Sequence, residues 1–223
     1  MNWRRRKLRY RLIVFDWDGT LVDSAGAIAA CIQAAARELA LTVPDEGRAR
    51  HVIGLGLHDS LRHAVPDLPP GRVQEFVECY RREFLAREGA MGVFPGVLGL
   101  LDTLLARGHV LAVATGKSRR GLERALDVAG LRSHFAATRC ADETVPKPSP
   151  AMLHELMREL DAAPADTLMI GDTSHDIGMA AAAGVDAVAV TYGAHVGEDL
   201  RALAPRACVS SVEELDRWLT RHA

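Results

Sequence analysis

Four short runs of apolar residues, each closed by a small or polar residue, constrain this chain more than any other feature. They are Leu12–Phe15 ahead of Asp16, residues 110–114 ahead of Thr115, residues 167–170 ahead of Gly171-Asp172, and residues 187–190 ahead of Thr191. Runs this short, with no polar interruption, predict strands buried on both faces, as in a parallel sheet. Between the last three lie helix-like stretches at 118–129, 150–160 and 175–183. Strand–helix alternation predicts an α/β fold, a Rossmann-like parallel sheet with helices on both faces and right-handed crossovers.

Residues 23–92 break that rhythm. They hold no convincing strand and read as several helices, at 25–39, Leu57–Ala64 and 73–87, with Ile28, Ile32, Ala35 and Leu39 at helical spacing in the first. The breaker Pro66-Asp67-Leu68-Pro69-Pro70-Gly71 separates the last two. Phe94-Pro95-Gly96 then leads into a further helix, Val97–Ala106. The expected organisation is a core of residues 1–22 and 93–223 interrupted by a small all-helical unit, 23–92.

Composition narrows the function classes. With 27 Lys+Arg against 29 Asp+Glu the formal charge is −2, which argues against a protein built to bind nucleic acid. No run of about 18 apolar residues is present, so no membrane span is expected. The four cysteines are scattered with no CxxC pair, so a reducing, cytoplasmic setting is expected. The basic amino terminus, MNWRRRKLRYR, reads as a solvated tail followed by too short an apolar run for a signal peptide.

The polar residues sit where such a sheet binds ligands, beyond the carboxyl ends of strands. Three strand ends carry Asp16-Trp17-Asp18-Gly19-Thr20, Thr115-Gly116 and Gly171-Asp172-Thr173-Ser174-His175-Asp176, and Lys147 sits in Val-Pro-Lys-Pro-Ser-Pro ahead of a helix. Carboxylates crowded together are driven to protonate unless a cation compensates, and an oxygen-only ligand set suits a hard divalent ion, Mg²⁺ above all. Asp16 is then placed to attack phosphorus and form an aspartyl-phosphate. Asp18 is placed to protonate the leaving alcohol and afterwards to deprotonate water. Thr115, the amides near Trp17 and Asp18, and Lys147 would hold phosphoryl oxygens. Asp16, the Asp18 carbonyl and Asp172 would bind Mg²⁺, and Asp176 would orient Lys147 or bind a metal-bound water.

DWDGT, the strand-terminal ATG with Thr115 and Gly116, the lysine of KPSP and GDTSHD, in that order, resemble the four motifs of the haloacid dehalogenase-like hydrolase superfamily. The resemblance runs from about Arg11 to about Thr191. It implies that the helical insertion is a cap, and DGTLVDS with Ile53-Gly54-Leu55-Gly56 makes the chain most similar to the phosphoglycolate phosphatase group. Trp17 replaces the Leu, Met or Phe more usual there, a packing variation if only its amide matters. The expected activity is Mg²⁺-dependent hydrolysis of a small phosphorylated metabolite, by a monomer or homodimer. A phosphosugar mutase and a catalytically silent binding module are the alternatives. The second aspartate disfavours dehalogenation. The absence of any lysine between Lys7 and Lys117 removes an imine-forming cap lysine and weakens the mutase reading.

Other residues have plainer readings. His175 is expected to face the surface or substrate rather than to catalyse. Asp23 and Ser24 read as an N-cap and hinge. Gly54 and Gly56 fit a loop that closes over substrate, or an ordinary interhelical turn.

Overall fold

A computed structural model describes residues 8–223. Residues 1–7, with most of the basic amino-terminal run, lie outside the described residues. The end of that run is not a solvated tail. Tyr10 is buried and its phenol donates to Asp186 at 2.8 Å, while its carbonyl meets His109 Nδ1 at 2.8 Å. Among the described residues Tyr10 is the first whose side chain joins the core, ahead of the first strand.

The strands are β1 (Leu12–Phe15), β2 (Val110–Thr115), β3 (Ala137–Cys140), β4 (Thr167–Gly171), β5 (Asp186–Val190) and β6 (Ala207–Val209). All pairings are parallel, in the order β3-β2-β1-β4-β5-β6. The chain builds outward from β1 to one edge, then restarts at β4 and builds to the other. Helices in chain order are α1 (Ala25–Glu38), α2 (Glu46–His51), α3 (Leu57–Ala64), α4 (Val73–Glu88), α5 (Val97–Ala106), α6 (Arg119–Ala129), α7 (Ala151–Glu159), α8 (Ser174–Ala182), α9 (Gly197–Ala202) and α10 (Val212–His222).

The strand period of two divides the core. Ile13, Phe15, Leu111 and Val113 point to the face covered by α5, α6 and α10, where Leu101, Leu104, Leu122 and Leu219 are fully buried. Their neighbours Leu12, Val14, Ala112 and Ala114 point to the opposite face, covered by α7, α8 and α9. Each large apolar side chain buried in this way contributes roughly 1.5–3 kcal/mol, which explains why polar residues occur in the central strands only at their ends.

The segment between β1 and α5 is all helical and has its own core. Ile28, Ile32 and Ala35 of α1 pack with Phe76 and Val77 of α4 and Leu61 of α3. It joins the sheet through two adjacent crossings: Asp23 N–H donates to Gly92 O at 2.9 Å, and Phe94 N–H to Leu21 O at 3.0 Å. Among the described residues no helix is long and apolar enough to cross a membrane.

Candidate active site

β1 and β4 are neighbours, yet the chain leaves them toward opposite edges, so a crevice opens beyond their carboxyl ends. Asp16 follows β1 and Asp172 follows β4, one on each side of that crevice, and Thr115 closes β2 next to them. All three are buried.

Asp16, Asp172 and Asp176 each direct a carboxylate oxygen to within 4.8 Å of the others. Lys147 supplies the counter-charge, its Nζ lying 2.8 Å from Asp16 Oδ1 and 2.6 Å from Asp176 Oδ1. Asp176 has a second duty. Its other oxygen accepts the Thr173 N–H at 3.0 Å and the Thr173 hydroxyl at 2.6 Å, and the Asp176 N–H donates back to the Thr173 hydroxyl oxygen at 3.3 Å, closing the capping box that starts α8. One carboxylate therefore fixes both the helix start and the lysine. Gly171 is required beside it, since a Cβ there would lie 2.3 Å from Asp176 Cγ.

Asp172 accepts the Thr20 hydroxyl at Oδ1 and the Ala194 N–H at Oδ2, both at 2.7 Å. Its carboxylate is pinched between two glycines, for a Cβ on Gly19 or on Gly193 would come within 2.2 Å of Oδ2. Gly19 also has φ +80°, a conformation that favours glycine. The turn after Asp18 thus passes directly over Asp172.

Burial raises Asp16 well above the ordinary carboxylate range; Lys147 opposes the rise, and Asp176 and Asp172 add to it. Burial and the Asp176 charge push Asp172 up to about 7. Lys147 moves the other way. Burial alone would lower it, but Asp16 and Asp176 hold it above the ordinary lysine value. One lysine is thus too little charge for three buried carboxylates. Neither Asp16 oxygen accepts a well-aligned hydrogen bond, the Lys147 contact being an ion pair. Orphaned hard oxygens, a carboxylate surplus and the absence of sulfur or nitrogen donors fit a divalent cation of the Mg²⁺ type.

The Asp18 side chain stands outside this cluster. Its Oδ1 accepts the Ser24 hydroxyl at 2.8 Å, and its Oδ2 pairs with Lys117 Nζ at 3.0 Å. The Ser24 side chain therefore does not cap α1, although the residue occupies the N-cap position. The Lys117 ammonium also lies 4.7 Å from the centre of the Phe84 ring on α4, linking Asp18 to the helical segment.

The Thr115 hydroxyl oxygen accepts the Lys117 N–H at 3.2 Å, which leaves its own proton for a ligand oxygen. Among the described residues the Trp17 and Asp18 N–H groups have no backbone acceptor, whereas the Trp17 side chain is packed in the core, edge-on to Phe135. Gly116 forms the seat of the helical segment: a Cβ there would lie 2.5 Å from Leu55 O and 2.7 Å from Gly54 O. The Gly54 loop therefore rests on the core. Beside it His51 O meets His175 Nε2 at 2.9 Å and His195 Nε2 at 3.0 Å. Burial lowers both histidines, His195 to about 4, so they sit neutral at this contact.

A cavity of about 660 Å³ opens above Asp16, Asp18, Thr115 and Gly116, roofed by the helical segment. The structure thus brings Asp16, Lys147, Asp172 and Asp176 into contact, with Thr115, Gly116 and the Asp18 carboxylate at the same cavity floor. Sequence reasoning missed Lys117, Thr20, Ser24, Gly193 and the Ala194 amide. Lys117 directly follows Thr115-Gly116 and is the one findable by position; Thr20, Gly193 and the Ala194 amide meet Asp172 from far away in sequence, and Ser24 turns its hydroxyl to Asp18 in place of capping α1.

Comparison with known proteins agrees with this geometry. A family model described as haloacid dehalogenase-like hydrolase matches residues 13–190. The chain is 36% identical over 210 residues to a protein named probable phosphatase IndB from Dickeya dadantii, covering 92% of this chain and 91% of that one. It is 31% identical to a phosphoglycolate phosphatase from Colwellia psychrerythraea, covering 92% and 94%. It is 34% identical to a tyrosine-protein kinase PtkA from Mycobacterium tuberculosis, over 82% of this chain but 62% of that protein. The crystal structure of a predicted phosphatase from Clostridium acetobutylicum superposes with TM-score 0.82 at 27% identity, covering 95% of this chain and 99% of that one.

Proposed function

The chain belongs to the haloacid dehalogenase-like hydrolases, and on that premise we propose that it is a Mg²⁺-dependent phosphomonoesterase acting on a phosphorylated metabolite. The observation that carries this reading is Asp16: a buried carboxylate at a strand end, its oxygens unsatisfied, one ammonium 2.8 Å away and two more carboxylates beside it.

In the first step an Asp16 oxygen attacks phosphorus, and the bond from phosphorus to the substrate alcohol breaks. Asp18 gives its proton to the departing oxygen. In the second step Asp18 takes a proton from water as that water attacks phosphorus, and the bond to Asp16 breaks, releasing phosphate. Thr115, Gly116 and the Trp17 and Asp18 amides hold the phosphoryl oxygens, and Lys147 favours the ionised form of Asp16 and fixes its position. Asp176 supports Lys147 rather than touching the substrate. Asp16, Asp172 and the Asp18 carbonyl would hold the cation, which when bound offsets repulsion between nucleophile and phosphate dianion. Residues 23–92 act as a cap that excludes bulk water and sizes the substrate.

The experiment is phosphate release from p-nitrophenyl phosphate with Mg²⁺, with EDTA, and with the Asp16→Asn protein. Turnover is expected only in the first case. Turnover without metal, or by Asp16→Asn at the wild-type rate, overturns the proposal.

A further inference from the structure

The cavity is large for the smallest substrates such a site serves. Its volume, about 660 Å³, lies in the middle of the roughly 300–1,000 Å³ range of pockets that enclose drug-sized ligands. The space is not the gap beneath a lifted cap, because the Gly54 loop already rests on Gly116 and His51 O already meets both histidines. A two-carbon phospho-acid would leave most of it filled with water.

The walls differ in chemistry. On one side α4 turns a single face inward: Tyr80, Arg81, Phe84 and Leu85 all line the cavity, at the spacing of neighbours on a helix. The Tyr80 and Phe84 rings are 6.0 Å apart and tilted, forming an aromatic wall. Leu85 is 52% exposed, a large apolar side chain of the same lining that stays open to solvent among the described residues. Burial holds the Tyr80 phenol protonated, as a donor. The first turns of α6 add Arg120 and Arg124 to the lining. Arg124 is spent on Glu88 at 2.7 Å, and Lys117 on Asp18. No ion pair or side-chain hydrogen bond engages Arg81 or Arg120 among the described residues.

We infer that the substrate is a phosphate monoester whose alcohol carries a ring of nucleoside or pyridine-alcohol size, lying on Tyr80, Phe84 and Leu85 with its acceptor atoms toward Arg81 and Arg120. Aromatic and aliphatic surface takes the flat body, and the cations and phenol take carbonyl or hydroxyl oxygens at its far end. This rests on the phosphomonoesterase reading and narrows its substrate.

The test compares kcat/KM of the wild-type protein for 2-phosphoglycolate, adenosine 5′-monophosphate and pyridoxal 5′-phosphate. The better ring-bearing monoester is expected to exceed 2-phosphoglycolate by roughly 100-fold, mainly through KM. 2-Phosphoglycolate equal to or better than both overturns the inference. Binding to the Asp16→Asn protein separates the two claims. If the ring monoesters bind more tightly but no compound is turned over by the wild type, the ring site stands and the phosphatase reading falls. If 2-phosphoglycolate binds as tightly, the ring site falls. Arg120→Gln should raise KM for the ring monoester about tenfold with kcat nearly unchanged, and less for 2-phosphoglycolate. An equal change for both contradicts the assignment, and thermal melting confirms that the variant is folded.

Discussion

The Lys147 ammonium lies 2.8 Å from Asp16 Oδ1 with neither side chain open to solvent, and the same nitrogen holds Asp176 at 2.6 Å. A buried cation that serves two carboxylates cannot be removed cheaply. Lys147→Met leaves both uncompensated and is expected to lower stability by about 3–5 kcal/mol. The loss should be smaller at acid pH, where the carboxylates protonate. Urea unfolding at pH 5 and pH 8 checks this, and equal losses at both would contradict the pairing.

The raised pKa values of Asp16 and Asp172 give a sign for pH dependence. Asp172 moves from 3.8 to about 7 on folding, so between about pH 4 and 7 the folded protein binds more protons than the unfolded chain. Stability of the metal-free protein therefore falls as pH rises through that window. The proposed Mg²⁺ would require the carboxylates ionised, so its stabilising effect should grow with pH. Melting with EDTA and with Mg²⁺ should show a larger metal-induced rise at pH 8 than at pH 5; the reverse order refutes the metal assignment.

The Asp18 side chain, held by Ser24 and Lys117 outside the carboxylate cluster, is the proposed acid and base. Asp18→Asn should cost about 10²–10⁴-fold in kcat for alkyl phosphates and much less for p-nitrophenyl phosphate, whose leaving group needs no proton. A uniform loss across leaving groups contradicts the acid role. Lys117→Met should shift the same leaving-group dependence in the same direction, more weakly.

What was legible in the sequence follows from burial. β1, β2, β4 and β5 are interior strands, so covering both faces forced unbroken apolar runs that can be seen without coordinates. β3 and β6 are the two edges of the sheet. β3, Ala137-Thr138-Arg139-Cys140, has two half-exposed residues, and β6 has only three residues, so neither left such a run. α2 is a single short polar helix with one buried residue, Ala49, and shows no periodicity. α10 carries Val212, Leu215 and Leu219 at helical spacing, a pattern legible in the sequence. At the site, the strand-end carboxylates were legible because charge at the end of a buried strand is conspicuous. Ser24 was misread as a helix cap because its partner, Asp18, competes for the hydroxyl in a way that spacing does not reveal.

Gly116 tests how the helical segment is seated. A Cβ would meet the backbone oxygens of Leu55 and Gly54 at 2.5 and 2.7 Å, and backbone cannot swing aside. Gly116→Ala is expected to cost about 1–3 kcal/mol and to raise KM by lifting the Gly54 loop. Gly99→Ala is the control. It lies in α5 with nothing within 4 Å of the added carbon, so it should be neutral or stabilising by up to about 1 kcal/mol. Equal effects of the two would contradict the seating.

The central claim is that Asp16 carries the phosphoryl group during turnover. Rapid acid quench of the Asp18→Asn protein with Mg²⁺ and p-nitrophenyl phosphate, followed by peptide mass spectrometry, reads it directly. One phosphoryl group on the peptide holding Asp16, lost again after mild alkali, is the predicted result. Phosphate on another residue, or product formed with no phosphorylated Asp16 at any time point, contradicts it.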